Sequence, residues 1–136
     1  MDKIEIYIDG TSKGNPGKSS YGIVVFKNGK IYKKLGNQIG ITTNNVAEYI
    51  SLICALIECL NFKTDEVEVK SDSLLLVKQI NGEYKVKDEE LKILHFISKY
   101  LLSRYNNIKI KYIKREENKI ADKIANLFLE KKNELF

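Results

Sequence analysis

The spacing of apolar residues changes period along this chain, and the order of those changes leaves few folds open. From Lys3 to Asp9, Ile4, Ile6 and Ile8 alternate with Lys3, Glu5 and Tyr7, the pattern of a strand with one buried face. Tyr21–Lys27 is aromatic and β-branched, Asn28-Gly29 is a strong hairpin turn, and Lys30–Gln38 reads as the returning strand. Three antiparallel strands therefore open the fold. A helix is expected from about Asn44 to Leu60, with Val46, Ile50, Ile53, Ile57 and Leu60 as its core-facing stripe. Glu66–Lys70 alternates again and ends at Ser71-Asp72. Helical patterns cover about Ser73–Ile80 and Asp88–Arg104, with Asn81-Gly82 between them. Ile108–Ile113 is a fifth strand, and Asn118–Lys131 a closing helix carrying Ile120, Ile124, Leu127 and Phe128. The order βββαβααβα predicts an α/β fold, one mixed sheet with helices packed on its faces.

With 136 residues the chain fits a single domain, 1–136, with its core over about 3–131. There is no internal repeat or linker, and the only proline, Pro16, sits in what reads as a glycine-rich turn. No apolar run reaches the ~18 residues that span a bilayer, and the N-terminus lacks the pattern of a signal peptide. A cytoplasmic protein without membrane contact is expected. The apolar end Leu135-Phe136 suggests no function and is expected to be disordered. Cys54 and Cys59 point to different sides of one helix, so free thiols are expected rather than a disulfide. With His95 the only histidine, no zinc site is expected. The net charge of +5 comes mostly from lysine, since Arg104 and Arg115 are the only arginines. Lysines act as flexible point charges, which suits a polyanion held by its phosphates better than one read base by base.

Four short strings each supply one candidate carboxylate: DGTSKGNPG (9–17), TNNVAEY (43–49), SDS (71–73) and REENKIAD (115–122). Their acids are Asp9, Glu48, Asp72 and Asp122. Each has an ordinary explanation: Asp9-Gly10 a turn, Asn45-x-x-Glu48 a capping box, Asp72 a helix cap and Asp122 a surface residue. Yet Asp9 and Asp72 end two strands, and if those strands are parallel neighbours both acids emerge at one edge of the sheet. Glu48 and Asp122 fall in the first turns of helices, where an acid is tolerated and can be aimed at a cation. A cluster of four would bind hard divalent cations, which take oxygen ligands.

The strings DGTSKGNPG, TNNVAEY and SDS and the N-x-x-A-D of Asn118–Asp122 resemble, in order and spacing, those of the type 1 ribonuclease H family. The resemblance covers about Ile4 to Ala125 and implies a five-stranded mixed sheet, three antiparallel strands followed by two parallel ones. It also implies endonucleolytic hydrolysis of the RNA strand of an RNA–DNA hybrid, leaving 5′-phosphate and 3′-hydroxyl ends. Asp9, Glu48, Asp72 and Asp122 would then be the catalytic acids and ligands of two Mg²⁺ ions, with Mn²⁺ a possible substitute and Asp9 bridging both. Like-charge repulsion without metal is expected to raise some of their pKa values. The same resemblance assigns substrate contacts to Asn15, Asn44 and Asn45 and to the backbone around Ser12 and Gly14, with glycines 10, 14 and 17 turning sharply.

Three departures from the family pattern stand out. The loop before the last acid has no histidine and reads Lys114-Arg115-Glu116-Glu117, so Arg115 or Glu116 is expected to assist, with His95 an ordinary helix residue. Asn81–Lys87 is brief and tryptophan is absent, so no basic, tryptophan-rich protrusion is expected and binding should be salt-sensitive. Leu74 follows SDS where many relatives have glutamine, and Gln79 is no evident replacement. Two other readings carry the same strings: the ribonuclease H portion of a reverse transcriptase, and a non-catalytic nucleic-acid-binding module. The chain's ends favour a free-standing enzyme, and all four acids favour catalysis. A monomer with no obligate protein partner is expected.

Overall fold

The structure, a computed structural model, describes residues 2–131. Leu135 and Phe136 lie outside the described residues. The elements are β1 (Lys3–Gly14), β2 (Gly17–Lys27), β3 (Lys30–Thr42), α1 (Asn44–Glu58), β4 (Glu66–Ser71), α2 (Leu74–Ile80), α3 (Glu89–Ser103), β5 (Ile108–Tyr112) and α4 (Lys119–Glu130). They make one five-stranded sheet in the order β3-β2-β1-β4-β5. β2 runs antiparallel to both β1 and β3, whereas β4 is parallel to β1 and to β5. The expected arrangement of three antiparallel and two parallel strands is therefore present.

The alternation in β1 does what its period requires. Ile4, Ile6 and Ile8 are fully buried and join Ile23, Val25, Val67 and Val69 in a core closed by α1 and Leu91 of α3. Each such burial contributes on the order of 2 kcal/mol. Glu5 and Glu68 face the other side, where Lys70 lies 2.6 Å from Glu5 and Lys111 lies 2.9 Å from Glu68. α4 packs on that side over β2. A Cβ on Gly22 would come within 2.3 Å of the Ala121 carbonyl oxygen, so only glycine lets the helix seat there.

Several boundaries and faces differ from the sequence reading. β1 does not stop at Asp9 but continues through the glycines, pairing with β2 as far as Gly14 opposite Gly17. The turn is confined to Asn15-Pro16, a cis peptide. Gly10 accordingly makes no turn, while Gly14, with φ +96°, does. On α1 the core face is Val46, Tyr49, Leu52, Ala55 and Leu56, and Ile57 is 58% exposed. Both stripes fit a helical period. The tight seat of Ala47 against Gly10 selects the one observed and turns Ile57 outward. On α4 the buried residues are Ala121, Ile124, Ala125 and Leu129, while Ile120 and Leu127 are exposed, because small residues must face β2.

Candidate active site

β4 ends at Ser71, opposite Ile8, so Asp9 is the first residue of β1 without a partner on that side. The missing rung opens a notch at the end of the sheet. Asp9 shares its side of the sheet with its cross-strand partner Gly22, the side on which α4 packs, whereas Gly10 faces α1. Asp72 follows β4 directly, Glu48 enters from α1 and Asp122 from the first turn of α4. Carboxylate oxygens of Asp9, Glu48 and Asp72 lie within 4.8 Å of one another. Asp122 stands outside that tight trio but lines the same cleft, with Thr11, Ser12, Asn44, Tyr112 and Arg115.

The ordinary explanations for three of these acids, Asp9, Glu48 and Asp72, fail. Thr43, not Asn45, caps α1, its side chain accepting the Val46 N–H. Glu48 instead accepts the Gly10 N–H at 2.6 Å, a bond that joins α1 to β1. Ser73 caps α2, which leaves Asp72 free of that duty. Asp9 lies within a strand rather than at a turn.

Asp9 is 5% exposed and Glu48 9% exposed, yet among the described residues none of the four acids is in a salt bridge. Burial, followed by the charge of Asp72 and then a hydrogen bond to Asp122 and its charge, pushes the Asp9 carboxyl up to about 8, and Arg115 only partly offsets this. Glu48 is raised well above the usual carboxylate range, by burial first and then by Asp9 and Asp72. Repulsion was expected; desolvation proves the larger cause. The all-oxygen donor set of such a cluster suits a hard dication.

This sets a pH dependence whose sign is fixed. In the unfolded chain Asp9 loses its proton near 3.8, whereas the folded protein retains it to about 8. Between those values the folded state binds the extra proton, so this contribution to stability falls as pH rises through the window. Added Mg²⁺ should reverse the loss. The Mg²⁺-induced rise in melting temperature is expected to grow as pH approaches about 8. A rise independent of pH would contradict the assignment.

The other expected site residues divide. Ser12 and Asn44 line the cleft with the acids. Asn15 is tied to the start of α1, its side-chain oxygen accepting the Asn44 N–H at 2.9 Å, and Gly14 precedes it at the turn. Asn45 is exposed beside Asn44 but is absent from the cleft wall. Arg115 reaches the cleft, whereas Glu116 lines a separate hollow with Tyr7 and Phe26. Gln79 is buried, accepting the Tyr49 hydroxyl at 2.7 Å, so it faces away from any substrate. His95 belongs to α3 and contacts the Gln79 carbonyl at 3.2 Å. Cys54 and Cys59 are free thiols.

Two residues had no role in the sequence reading. The Asn118 amide donates to the Ile8 carbonyl at 2.8 Å and to Asp72 at 3.0 Å, tying the start of α4 to β1 and to one acid. Its position four residues before Asp122 was the only signal. Tyr112 enters the cleft because it ends β5 opposite Ser71, which no local pattern announces.

Comparison with known proteins bears on this geometry. A family profile described as Reverse transcriptase-like matches residues 7–128. Ribonuclease H of Wigglesworthia glossinidia brevipalpis is 34% identical over 79% of this chain and 76% of its own length. The chain belongs to the type 1 ribonuclease H family. Ribonuclease HI of Halobacterium salinarum is 36% identical over 91% of this chain. The crystal structure of RNase H1 from that archaeon superposes with a TM-score of 0.90, covering 94% of this chain and 98% of the other. The LC11-RNase H1 structure, in complex with an RNA/DNA hybrid, has 38% identity and a TM-score of 0.87, with 93% and 96% covered. The chain spans 63% of the length of the curated Halobacterium relative and 35% of a mycobacterial one. No described helix is long and apolar enough to cross a membrane.

Proposed function

We propose that this chain is a ribonuclease H that hydrolyses the RNA strand of RNA–DNA hybrids, leaving 5′-phosphate and 3′-hydroxyl ends. The observation that carries the reading is the convergence of Asp9, Glu48 and Asp72 within 4.8 Å, beside Ser12 and Asn44. The hybrid bound to the LC11 relative supports the choice of substrate. Asp9, Glu48, Asp72 and Asp122 would hold two Mg²⁺ ions. When bound, those ions lower the pKa of the attacking water and stabilise the departing 3′-oxygen.

The chain's own residues supply position and charge. Water forms the new bond to phosphorus and gives up a proton, the bond from phosphorus to the 3′-oxygen breaks, and that oxygen is protonated. Asn118 holds Asp72 in place by donating to its carboxylate. Arg115 offsets part of the acidic field on Asp9 and Glu48, which eases approach of the anionic backbone. Asn44 in the cleft wall, with Asn15 and Asn45 next to it and the backbone around Ser12 and Gly14, would contact the sugar hydroxyls, and the 2′-hydroxyl distinguishes RNA from DNA.

A labelled panel of RNA–DNA hybrid, double-stranded RNA and double-stranded DNA, each with Mg²⁺ or Mn²⁺, tests this. Cleavage confined to the RNA strand of the hybrid, and abolished by a chelator, is expected. Equal cleavage of double-stranded RNA, or binding without cleavage, would contradict it. Activity should fall steeply with salt, since lysines supply most of the attraction.

A further inference from the structure

α3 buries one side in the core through Leu91 and Ser98, with Leu94, Leu101 and Leu102 packed behind them. Its opposite side is apolar as well. Ile93 is 63% exposed, Phe96 73%, Ile97 38% and Tyr100 59%. These residues follow the spacing of a helix stripe, and none of them lines the acidic cleft. Two aromatic rings and two isoleucines form an apolar patch on the order of 500 Å², at the upper end of what a monomer exposes.

The stripe ends in opposite charges. Glu89 precedes it and Arg104 follows it on the same line of the helix surface. From Glu89 through Ile93, Phe96, Ile97 and Tyr100 to Arg104, the steps are four, three, one, three and four, a spacing that reads the same in both directions. Arg104, in helical conformation at the C-cap, makes no ion pair among the described residues. Glu89, 88% exposed in its side chain, meets only Lys92 at 3.1 Å, a surface pair of little worth.

We infer that this face of α3 pairs with α3 of a second copy of the chain, antiparallel about a two-fold axis between Phe96 and Ile97. A two-fold contact requires a surface complementary to itself. Antiparallel pairing sets Glu89 against Arg104 of the second copy, Ile93 against Tyr100, and Phe96 against Ile97, with the reciprocal contacts on the other side of the axis. Reversing one helix against the other also opposes their dipoles, placing each acidic N-terminus beside a basic C-terminus. The patch supplies most of the ~800 Å² per partner that a stable interface buries, so a concentration-dependent dimer is expected rather than an obligate one.

Sedimentation velocity of the whole chain from low to high micromolar concentration tests the pairing. The wild-type protein should shift from monomer to dimer. Phe96→Lys should remain monomeric, with an unchanged melting temperature and unchanged hybrid cleavage per active site. Glu89→Arg and Arg104→Glu should each weaken association roughly tenfold, and the double variant should restore it. Wild-type protein that stays monomeric throughout would overturn the inference, even if Phe96→Lys weakened hybrid binding and so gave this face to nucleic acid. A dimer indifferent to Phe96→Lys, or a double reversal that fails to restore association, would overturn it too.

Discussion

Asp9→Asn should abolish hybrid cleavage while leaving the metal-free protein at least as stable as the wild type. The two halves of this result share one cause. Asp9 is buried among Glu48, Asp72 and Asp122, and its carboxyl stays protonated to about 8 without a cation. Asparagine has the same shape and no charge, so it removes a repulsive group that the folded chain tolerates poorly. The same change removes the anion around which the other acids are arranged to hold metal. A turnover loss of about 10³-fold or more, some 4 kcal/mol in the barrier, is expected. Melting curves at pH near 8 should show the variant equal to or above the wild type, and the Mg²⁺-induced rise should shrink or vanish. Cleavage within tenfold of the wild type would remove Asp9 from the reaction. Lost activity with an undiminished Mg²⁺ response would mean that the metal is held elsewhere.

How much of this was legible in the sequence depends on whether the governing interaction is local. The Ile4-Ile6-Ile8 alternation and the Asn28-Gly29 turn are local, and both appear where expected. The face of α1 is not local. Val46, Ile50, Ile53 and Ile57 make as good a helical stripe as Val46, Tyr49, Leu52 and Leu56, and only the close approach of Ala47 to Gly10 selects between them. The length of β1 was hidden for a related reason. Asp9–Gly17 contains the residues that favour turns, yet pairing with β2 across the same glycines keeps the chain extended to Gly14. At the site, the four acids could be picked out by the strings around them. Their unequal geometry, a tight trio with Asp122 at its edge, is set by where β4 stops and how α4 sits on Gly22. Asn118, though part of one of those strings, had no role assigned and Tyr112 was not singled out, because their contacts reach across the sheet to Ile8, Asp72 and the end of β4.

Gly10→Ala should be the most disruptive single-methyl change near the site, because α1 rests directly on that glycine. An added Cβ would lie 2.3 Å from the Ala47 carbonyl carbon, 2.4 Å from its oxygen and 2.5 Å from the Glu48 nitrogen. All three are backbone atoms inside a helix, so no side chain can swing aside to make room. Overpacking of a core costs about 1–3 kcal/mol, and a clash with rigid backbone belongs at the upper end of that range. A loss of ~3 kcal/mol lowers the melting temperature by roughly 10 °C in a domain of this size. Displacing α1 also breaks the 2.6 Å bond from the Gly10 N–H to Glu48 and withdraws that carboxylate from Asp9 and Asp72. Cleavage should therefore fall well below what partial unfolding explains, even at temperatures where the variant is folded. More Mg²⁺ should be needed to reach half-maximal rate. Gly29→Ala is the matched control, since nothing lies within 4 Å of its Cβ and its cost is only the strain of φ +83°. That change should cost about 1 kcal/mol and leave the Mg²⁺ requirement untouched. If Gly10→Ala proved as stable as Gly29→Ala and needed no more Mg²⁺ than the wild type, the close seat of α1 on β1 could not be what positions Glu48.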